Sequence, residues 1–419
     1  LADDNMRYER EKDEGFYGME SETEIKFWVP GITLMNELLQ SEPGKLPSFE
    51  EFHRMMEEQT AKDPWNYEED RTFAQSLHAR VSKSCTFPRY LATPTLCERC
   101  SKIDLEQSIH VSLFPETAQS CDLCRLFYHC LKNNNVGEQD DIQPLKRRDL
   151  FEICVPPGTL KVPHRIRVRL PALPEVGGRI YFQLLQEWLR ACDGEHDDCG
   201  APGGPPPLPT RVLNVGDGRD PTYLRLYHPS RGEKGDYLAL SHCWGKPTKE
   251  QKDSFTTTIK NVDKRCQGIS LVDLPRTFQD AVRVTRELGK RYLWIDSLCI
   301  LQGQDGDWEK ESKLMGSVFG NAYCTIAATS GVDSDAGFLG PRKSARNYVP
   351  VTSSSHGQVY VCEAIDDFHH DVEKGVLNQR AWVLQERALS RRTIHFTTRQ
   401  TYFECGAGIH CETLTHMSK

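Results

Sequence analysis

Three groups of residues in this 419-residue chain carry side chains able to do chemistry. The first is Ser241-His242-Cys243-Trp244-Gly245, which closes the apolar run YLAL. A cysteine nucleophile needs a base within hydrogen-bond reach and oxyanion donors nearby. Neighbours on a strand point to opposite faces, so His242 serves Cys243 only if the strand has already ended. Otherwise His395 or His410 would have to be brought in from far along the chain. Cys243 and Cys299 are therefore read as small packing residues beside a pocket.

The second group is the cysteines. LCERC (Cys97, Cys100) and SCDLC (Cys121, Cys124) form a CxxC-x20-CxxC array. Two residues between cysteines let one tight turn present both thiolates to a tetrahedral ion at about 2.3 Å. Two such turns complete a closed, structural zinc site, against the plainer alternative of four buried free thiols. WLRACDGEHDDC places Cys192, His196 and Cys199 at x3 and x2 spacing, but supplies no obvious fourth ligand unless Cys85, His129 or Cys130 does so. A capped helix end with a solvated acidic loop is the preferred reading there.

The third group is acidic. Glu311 precedes Met315 by four residues and Val318 by seven, so it opens the inward stripe of a predicted helix, while Glu309 and Lys310 face solvent. A carboxylate there, beside Trp308 and over strand ends, is partly desolvated, as functional carboxylates often are. Compensation of the helix dipole explains an acid in a first turn equally well. Asp296, closing YLWID, either bonds a ligand hydroxyl or caps the following turn.

These residues need a scaffold. DYLALSHC, RYLWID and YCTIAATS read as strands. Between the first two, LPRTFQDAVRVTRELGKR sets Phe278, Ala281, Val282, Thr285 and Leu288 on one helical face that Gly289 ends. DWEKESKLMGSVFGNA predicts one further helix, with Met315, Val318, Phe319 and Ala322 inward. AWVLQE reads as a helix start or a strand edge. Strands separated by helices imply parallel pairing in an α/β layer, whose ligand crevice lies beyond the carboxyl ends of the strands. Ser241 to Gly245 and Asp296 to Gln302 both fall at such ends.

Composition sets the limits. Hydrophobic content of 38% and charge of 27% describe an ordinary soluble protein, and no apolar run is long enough to span a membrane. No signal peptide opens the chain, so a cytoplasmic location is expected. Residues 1–70 hold 19 acidic and 7 basic side chains, a net of −12 against −8 for the whole. The remainder is thus +4 (−8 minus −12), too little for a nucleic-acid footprint. Sixteen cysteines in such a chain imply reduced thiols, some holding metal. The organisation read from this is an acidic, mainly helical extension over 1–84 and a Cys-rich α+β region over 85–200. A Pro/Gly linker over 201–209 and an α/β domain over 210–419 follow.

YLALSHCWG, LPRTFQDAVRVTRELGKRYLWIDSLCILQ, DWEKESKLMGSVFGNAYCTIAATS and NQRAWVLQERALSRRTIHF resemble, in order, the motifs of the fungal heterokaryon-incompatibility (HET) domain, over roughly 208–405. LCERC, SCDLC and WLRACDGEHDDC resemble segments that often precede it. His242 and Phe319 stand where the family commonly has tyrosine. The resemblance implies a role in non-self recognition and programmed cell death.

The domain is also distantly similar to Toll/interleukin-1 receptor (TIR) domains, which implies a flavodoxin-like parallel sheet flanked by helices and, as in some members, cleavage of NAD at the nicotinamide–ribose bond. Aligning KLMGSVF with their helix implies that Glu311 is the catalytic glutamate. Ser241, Gly245, Asp296 and Gln302 would then bond ribose or phosphate, and Trp244 and Trp308 would wall a ring, although each tryptophan also suits simple core packing. For Glu386 two roles stand open, a second acid or half of an Arg–Glu structural pair. The pair is preferred because Arg380, Arg387, Arg391 and Arg392 crowd the segment. The expected partners are NAD or a related nucleotide, a second copy of the chain, and a protein docking through 1–84. The alternative function is a non-catalytic signalling module that works by self-association or partner binding.

Overall fold

The computed structural model describes residues 93–417, apart from 138–139, 160, 164–165, 197–198, 200–203, 217–219, 221 and 343–344, together with 75, 76 and 79. Every element below lies within one compact unit, Trp65–Ser418. All but three residues of the expected acidic extension lie outside the described residues.

A nine-stranded sheet forms the centre. Its members are β5 (Val212–Asn214), β6 (Arg225–Tyr227), β7 (Tyr237–Ser241), β8 (Tyr292–Trp294), β9 (Cys324–Ala327), β12 (Arg392–Phe396), β13 (Thr401–Cys405), β14 (Gly408–Cys411) and β15 (His416–Met417). They lie in the order β15-β14-β13-β12-β9-β7-β8-β5-β6. The three expected strands are β7, β8 and β9. With β12 they make a parallel block, Leu238 facing Leu293 and Cys324, and Ile394 facing Ile326. Every residue of β7, β9 and β12 is buried, as suits strands covered on both faces.

The sheet is mixed, which corrects the expectation of a parallel one. β5 pairs antiparallel with both β6 and β8, and β12 to β15 run as successive hairpins. The connections 397–400, 406–407 and 412–415 are too short for a crossover helix, so they can only join antiparallel neighbours.

Two smaller sheets lie beside it. β3 (Phe151–Val155), β4 (Arg167–Val168), β10 (Tyr348–Ser353) and β11 (Gly357–Glu363) form one, and β1 (Ile109–His110) pairs with β2 (Asp141–Ile142) in the other. Because β3 pairs with β11, the Cys-rich region and the later domain share one sheet.

Six helices matter for function: α1 (Asp122–Asn133), α2 (Arg179–Glu195), α3 (Arg276–Glu287), α4 (Trp308–Ser312), α5 (Met315–Asn321) and α6 (Ala381–Leu389). On α3 the predicted stripe of Phe278, Ala281, Val282 and Thr285 is fully buried, and Leu288 and Gly289 end the helix. The single helix expected over 307–322 is two. Lys313 and Leu314 keep right-handed helical angles, but the chain turns there, and Gly316 and Gly320 weaken the second piece. Val318, Phe319 and Ala322 are buried as expected, and Met315 is half-buried. AWVLQE lies in helix α6, which packs on α5; a Cβ on Gly316 would lie 3.1 Å from Leu389.

The parallel block also fixes where a ligand would go. From β7 the chain crosses through α3 to β8 on one side, then through α4 and α5 to β9 on the other. The order therefore reverses between β7 and β9, and in α/β sheets the crevice opens at the carboxyl ends beside such a reversal.

Candidate functional site

At that reversal stands Ser241, the last residue of β7, buried and with its hydroxyl donating to Oε2 of Glu386 at 2.5 Å. Glu386 reaches it from α6, where Val383, Glu386, Arg387 and Ser390 recur at the spacing of one helical face. Only Val383 on that face is apolar. Ser390 donates to the Glu386 carbonyl at 2.6 Å and lies 2.6 Å from the Thr325 hydroxyl, which ties the end of α6 to β9.

Asp296, just beyond β8, completes the group. Its Oδ2 accepts from Trp244 Nε1 at 2.9 Å and its Oδ1 from the Ser297 amide at 2.6 Å, so it both braces the pocket wall and secures the following turn. Burial pushes the Glu386 carboxyl up to about 7, and the negative charge of Asp296 adds to this. The Ser241 hydroxyl and the Arg380 guanidinium act in the opposite direction. Arg380, which caps the start of α6, donates to the His242 carbonyl at 2.6 Å and so ties the helix to the end of β7. The result is a half-buried carboxyl poised near neutrality, beside a second carboxylate, at the mouth of the sheet.

The other predicted site residues distribute around this group. Trp244 is half-buried, edge-on to Phe255 with ring centroids 5.9 Å apart, and Lys252 Nζ lies 5.7 Å from its ring centre. Gly245 adopts φ +70°, and a Cβ there would meet Asp333 Cβ at 2.4 Å, so the loop after β9 closes against the end of β7 only because this residue is glycine. Gln302 turns back on the Ile300 carbonyl, and its amide donates to Thr257.

Trp308 is 46% exposed at the start of α4. Glu311 is buried, as expected of the first residue of an inward stripe, and accepts from Thr210 Oγ1 at 2.9 Å with Lys310 Nζ at 4.0 Å. Thr210 leads into β5, so Glu311 is held on the β5–β8 side of the sheet. The structure thus brings Ser241, Trp244 and Asp296 together with Glu386, and gives Glu311 a different set of partners.

The Cys–His pair is inert, as read from the sequence. His242 is buried edge-on to Phe278, burial lowers its pKa to about 4, and its Nε2 has no partner among the described residues. Cys243 packs with Ala327, Leu377 and Val383, and burial raises its pKa. Cys299 is buried likewise, with burial pushing its thiol up to about 12. His395 bonds Glu404 at 2.9 Å and His410 stacks on His416, so neither serves Cys243.

An Arg–Glu structural pair exists in the arginine-rich segment, but its carboxylate is Glu404. Arg387 grips Glu404 through two bonds of 2.9 and 3.0 Å, leaving Glu386 to face Ser241. The crowd of arginines was a misleading signal. The informative one was the three-residue step from Val383 to Glu386, which puts an acid on the inward face.

Cys97, Cys100, Cys121 and Cys124 converge as their spacing requires. All four Sγ atoms lie within 4.8 Å of one another, with Cys97 and Cys100 at 3.8 and 3.4 Å from Cys124. Cys97 and Cys121 each stand just before a helix, and the two turns are clasped by Thr95 and Asp122 through bonds of 2.8 and 2.9 Å. A tetrahedral ion with bonds of about 2.3 Å sets its sulfurs roughly 3.8 Å apart, so this set suits a metal. A cavity of about 790 Å³, lined by Arg148, Glu152, Arg167, Asp366 and Arg399 among others, lies at β3 and does not include the Ser241–Glu386 group.

Residues 237–386 match the family model described as heterokaryon incompatibility protein (HET), a stretch that opens at β7 and closes on Glu386 itself. The chain therefore carries a HET domain, and that domain supports a role in heterokaryon incompatibility. No curated protein and no solved structure matches the chain. No described helix is long and apolar enough to cross a membrane.

Proposed function

We propose that this protein acts as a cell-death effector in incompatibility by cleaving NAD at the nicotinamide–ribose bond in the cleft above β7 and β9. The observation that carries the reading is Glu386, a carboxyl held near neutrality at the switch point of a parallel block. The order of that block, β8-β7-β9-β12, is also the order in which a flavodoxin-like sheet begins, which supports the TIR-like reading.

Nicotinamide leaves NAD as a neutral molecule, because the electron pair of the C1′–N bond neutralises the pyridinium, so no acid is needed. The site must instead place an anion beside the developing oxocarbenium ion. Ionised Glu386 supplies that anion, then takes a proton from the water that attacks C1′, yielding nicotinamide and ADP-ribose. Ser241 orients the carboxylate, Asp296 holds Trp244 in place, and Trp244, Gly245, Gln302 and Trp308 line the approach. Glu311 is the rival for the anion's role, since it also opens an inward face near the strand ends. Cys97, Cys100, Cys121 and Cys124 hold a structural zinc that joins the two CxxC turns.

Incubating the full chain with NAD and following nicotinamide tests the reading; no release at high protein concentration, where oligomers form, would count decisively against it.

A second reading has its own observation. Trp308, Leu314, Trp382, Leu384 and Leu389 are all more than a third exposed on α4 to α6 and their junctions. Exposed apolar side chains of this kind suit self-association of a signalling module. Sedimentation of the full chain and of a Leu384→Ser, Leu389→Ser variant separates the readings: loss of an oligomer with NAD cleavage intact assigns these side chains to assembly alone.

A further inference from the structure

The structure assigns a second zinc site, formed by Cys192, His196, Cys199 and Cys405. Three of these ligands lie close in sequence, and the fourth comes from more than two hundred residues away, beyond the alternatives Cys85, His129 and Cys130. Cys85 lies outside the described residues, His129 bonds Asn133 at 3.0 Å, and Cys130 is buried in the main core.

The geometry begins with α2. This helix lies across β13, with Tyr181 Oη 2.8 Å from Thr401 Oγ1 and Trp188 stacked on Phe403 at 6.1 Å. The same docking carries its last turn to the end of β13. There Cys192 is buried on the helix, His196 follows it directly, Cys199 is buried three residues on, and Cys405 closes the strand. The four ligand atoms lie within 4.8 Å of one another, and Cys405 Sγ is 3.4 Å from His196 Nδ1. Zinc bonds of about 2.3 Å to sulfur and about 2.0 Å to nitrogen place neighbouring ligands roughly 3.5 to 3.8 Å apart, so only small movements separate this cluster from a tetrahedral Cys3His shell.

Features around the four atoms favour an ion over chance packing of thiols. The turn after Cys405 approaches the cluster with its backbone: a Cβ on Gly406 would lie 3.2 Å from Cys199 Sγ. The amides of Gly406 and Ala407 are directed at the sulfurs of Cys199 and Cys405, the outer-shell bonding that steadies metal thiolates. Arg392 of β12 donates to the Cys199 carbonyl at 3.1 Å and pairs with Asp193 at 2.6 Å, which fixes the loop carrying the ligands. An imidazole nitrogen turned toward three thiols is the mixed nitrogen and sulfur donor set that zinc takes.

All four ligands lie outside residues 237–386, three before and one after. The ion would therefore stitch the segment that precedes the matched domain to the hairpins that follow it. This is a site distinct from the Cys97 set, and its test separates the two.

Metal content of the full chain, purified from zinc-supplemented cells, is expected to be two zinc ions per chain, falling to one in Cys405→Ser. It should also fall to one in the Cys97→Ser, Cys121→Ser double variant. A wild-type chain with a single ion that the double variant loses and Cys405→Ser keeps would overturn the proposal and leave the Cys97 site standing. A Cys405→Ser chain that does not fold is covered by alkylation of the wild-type protein. Cys192, Cys199 and Cys405 should become reactive together, in step with release of one zinc ion to a chelator. Release of all bound zinc with these three still unreactive would overturn it equally.

Discussion

Replacing Glu386 by glutamine should make the protein's stability less sensitive to alkali, by an amount the site itself sets. Glutamine keeps the size of the side chain and an acceptor for Ser241, but cannot ionise. In the fold, burial and the nearby Asp296 hold the Glu386 carboxyl at about 7, against an ordinary value of 4.5. Ionising it there costs about 3 kcal/mol more than in the unfolded chain.

Because the folded value is the higher one, the folded chain binds the extra proton between pH 4.5 and 7. The stability this confers is complete below the unfolded value and is lost as pH rises through the folded one. Between about pH 5 and 8 the wild type should lose roughly 2.5 kcal/mol that the variant keeps. That figure is an upper limit, since Glu386 is half-buried and water screens part of the charge. Urea unfolding of both chains at the two pH values, compared at equal slopes, measures the difference. If the gap between variant and wild type stays constant within about 0.5 kcal/mol, the carboxyl is not held near neutrality and the reading of the cleft fails.

Further outcomes follow from the same contacts. Ser241→Ala removes a hydrogen bond that favours the anion, and Asp296→Asn removes a like charge that opposes it, so the pH midpoint of NAD cleavage should rise in the first and fall in the second; shifts in one common direction would contradict the assigned partners. Arg387→Ala leaves Glu404 and Glu373 without their cation in a closed setting and should cost about 3 to 5 kcal/mol in thermal or urea unfolding, whereas a loss under about 1 kcal/mol would mean the pair is solvated.

How much of this was legible beforehand varied with the range over which each signal acts. Phe278, Ala281, Val282 and Thr285 announce α3 because a buried helical face repeats within a dozen residues. β7, β8 and β9 are short apolar runs between turns, and the helices between them dictate parallel pairing. The four CxxC cysteines converge because each pair is local and only one long-range contact remains to be made. The hairpins β12 to β15 give no alternation to read, because β12 to β14 are wholly buried and β15 is two residues long, so only their brief connections betray them. Cys405 was illegible as a ligand, since its nearness to Cys192 depends on α2 docking across β13. Glu386 was visible but misassigned: sequence shows that arginines are near, not which acid they grip, and Arg387 turns to Glu404 instead.

The central claim is that a cleft carboxylate breaks the nicotinamide–ribose bond, and the most direct measurement is nicotinamide release from NAD by the wild type, Glu386→Gln and Glu311→Gln side by side. Release by the wild type is expected, with a fall of roughly 10²- to 10⁴-fold in Glu386→Gln and a much smaller change in Glu311→Gln. Full activity in Glu386→Gln would contradict it, and loss confined to Glu311→Gln would move the chemistry to the β5–β8 side of the sheet.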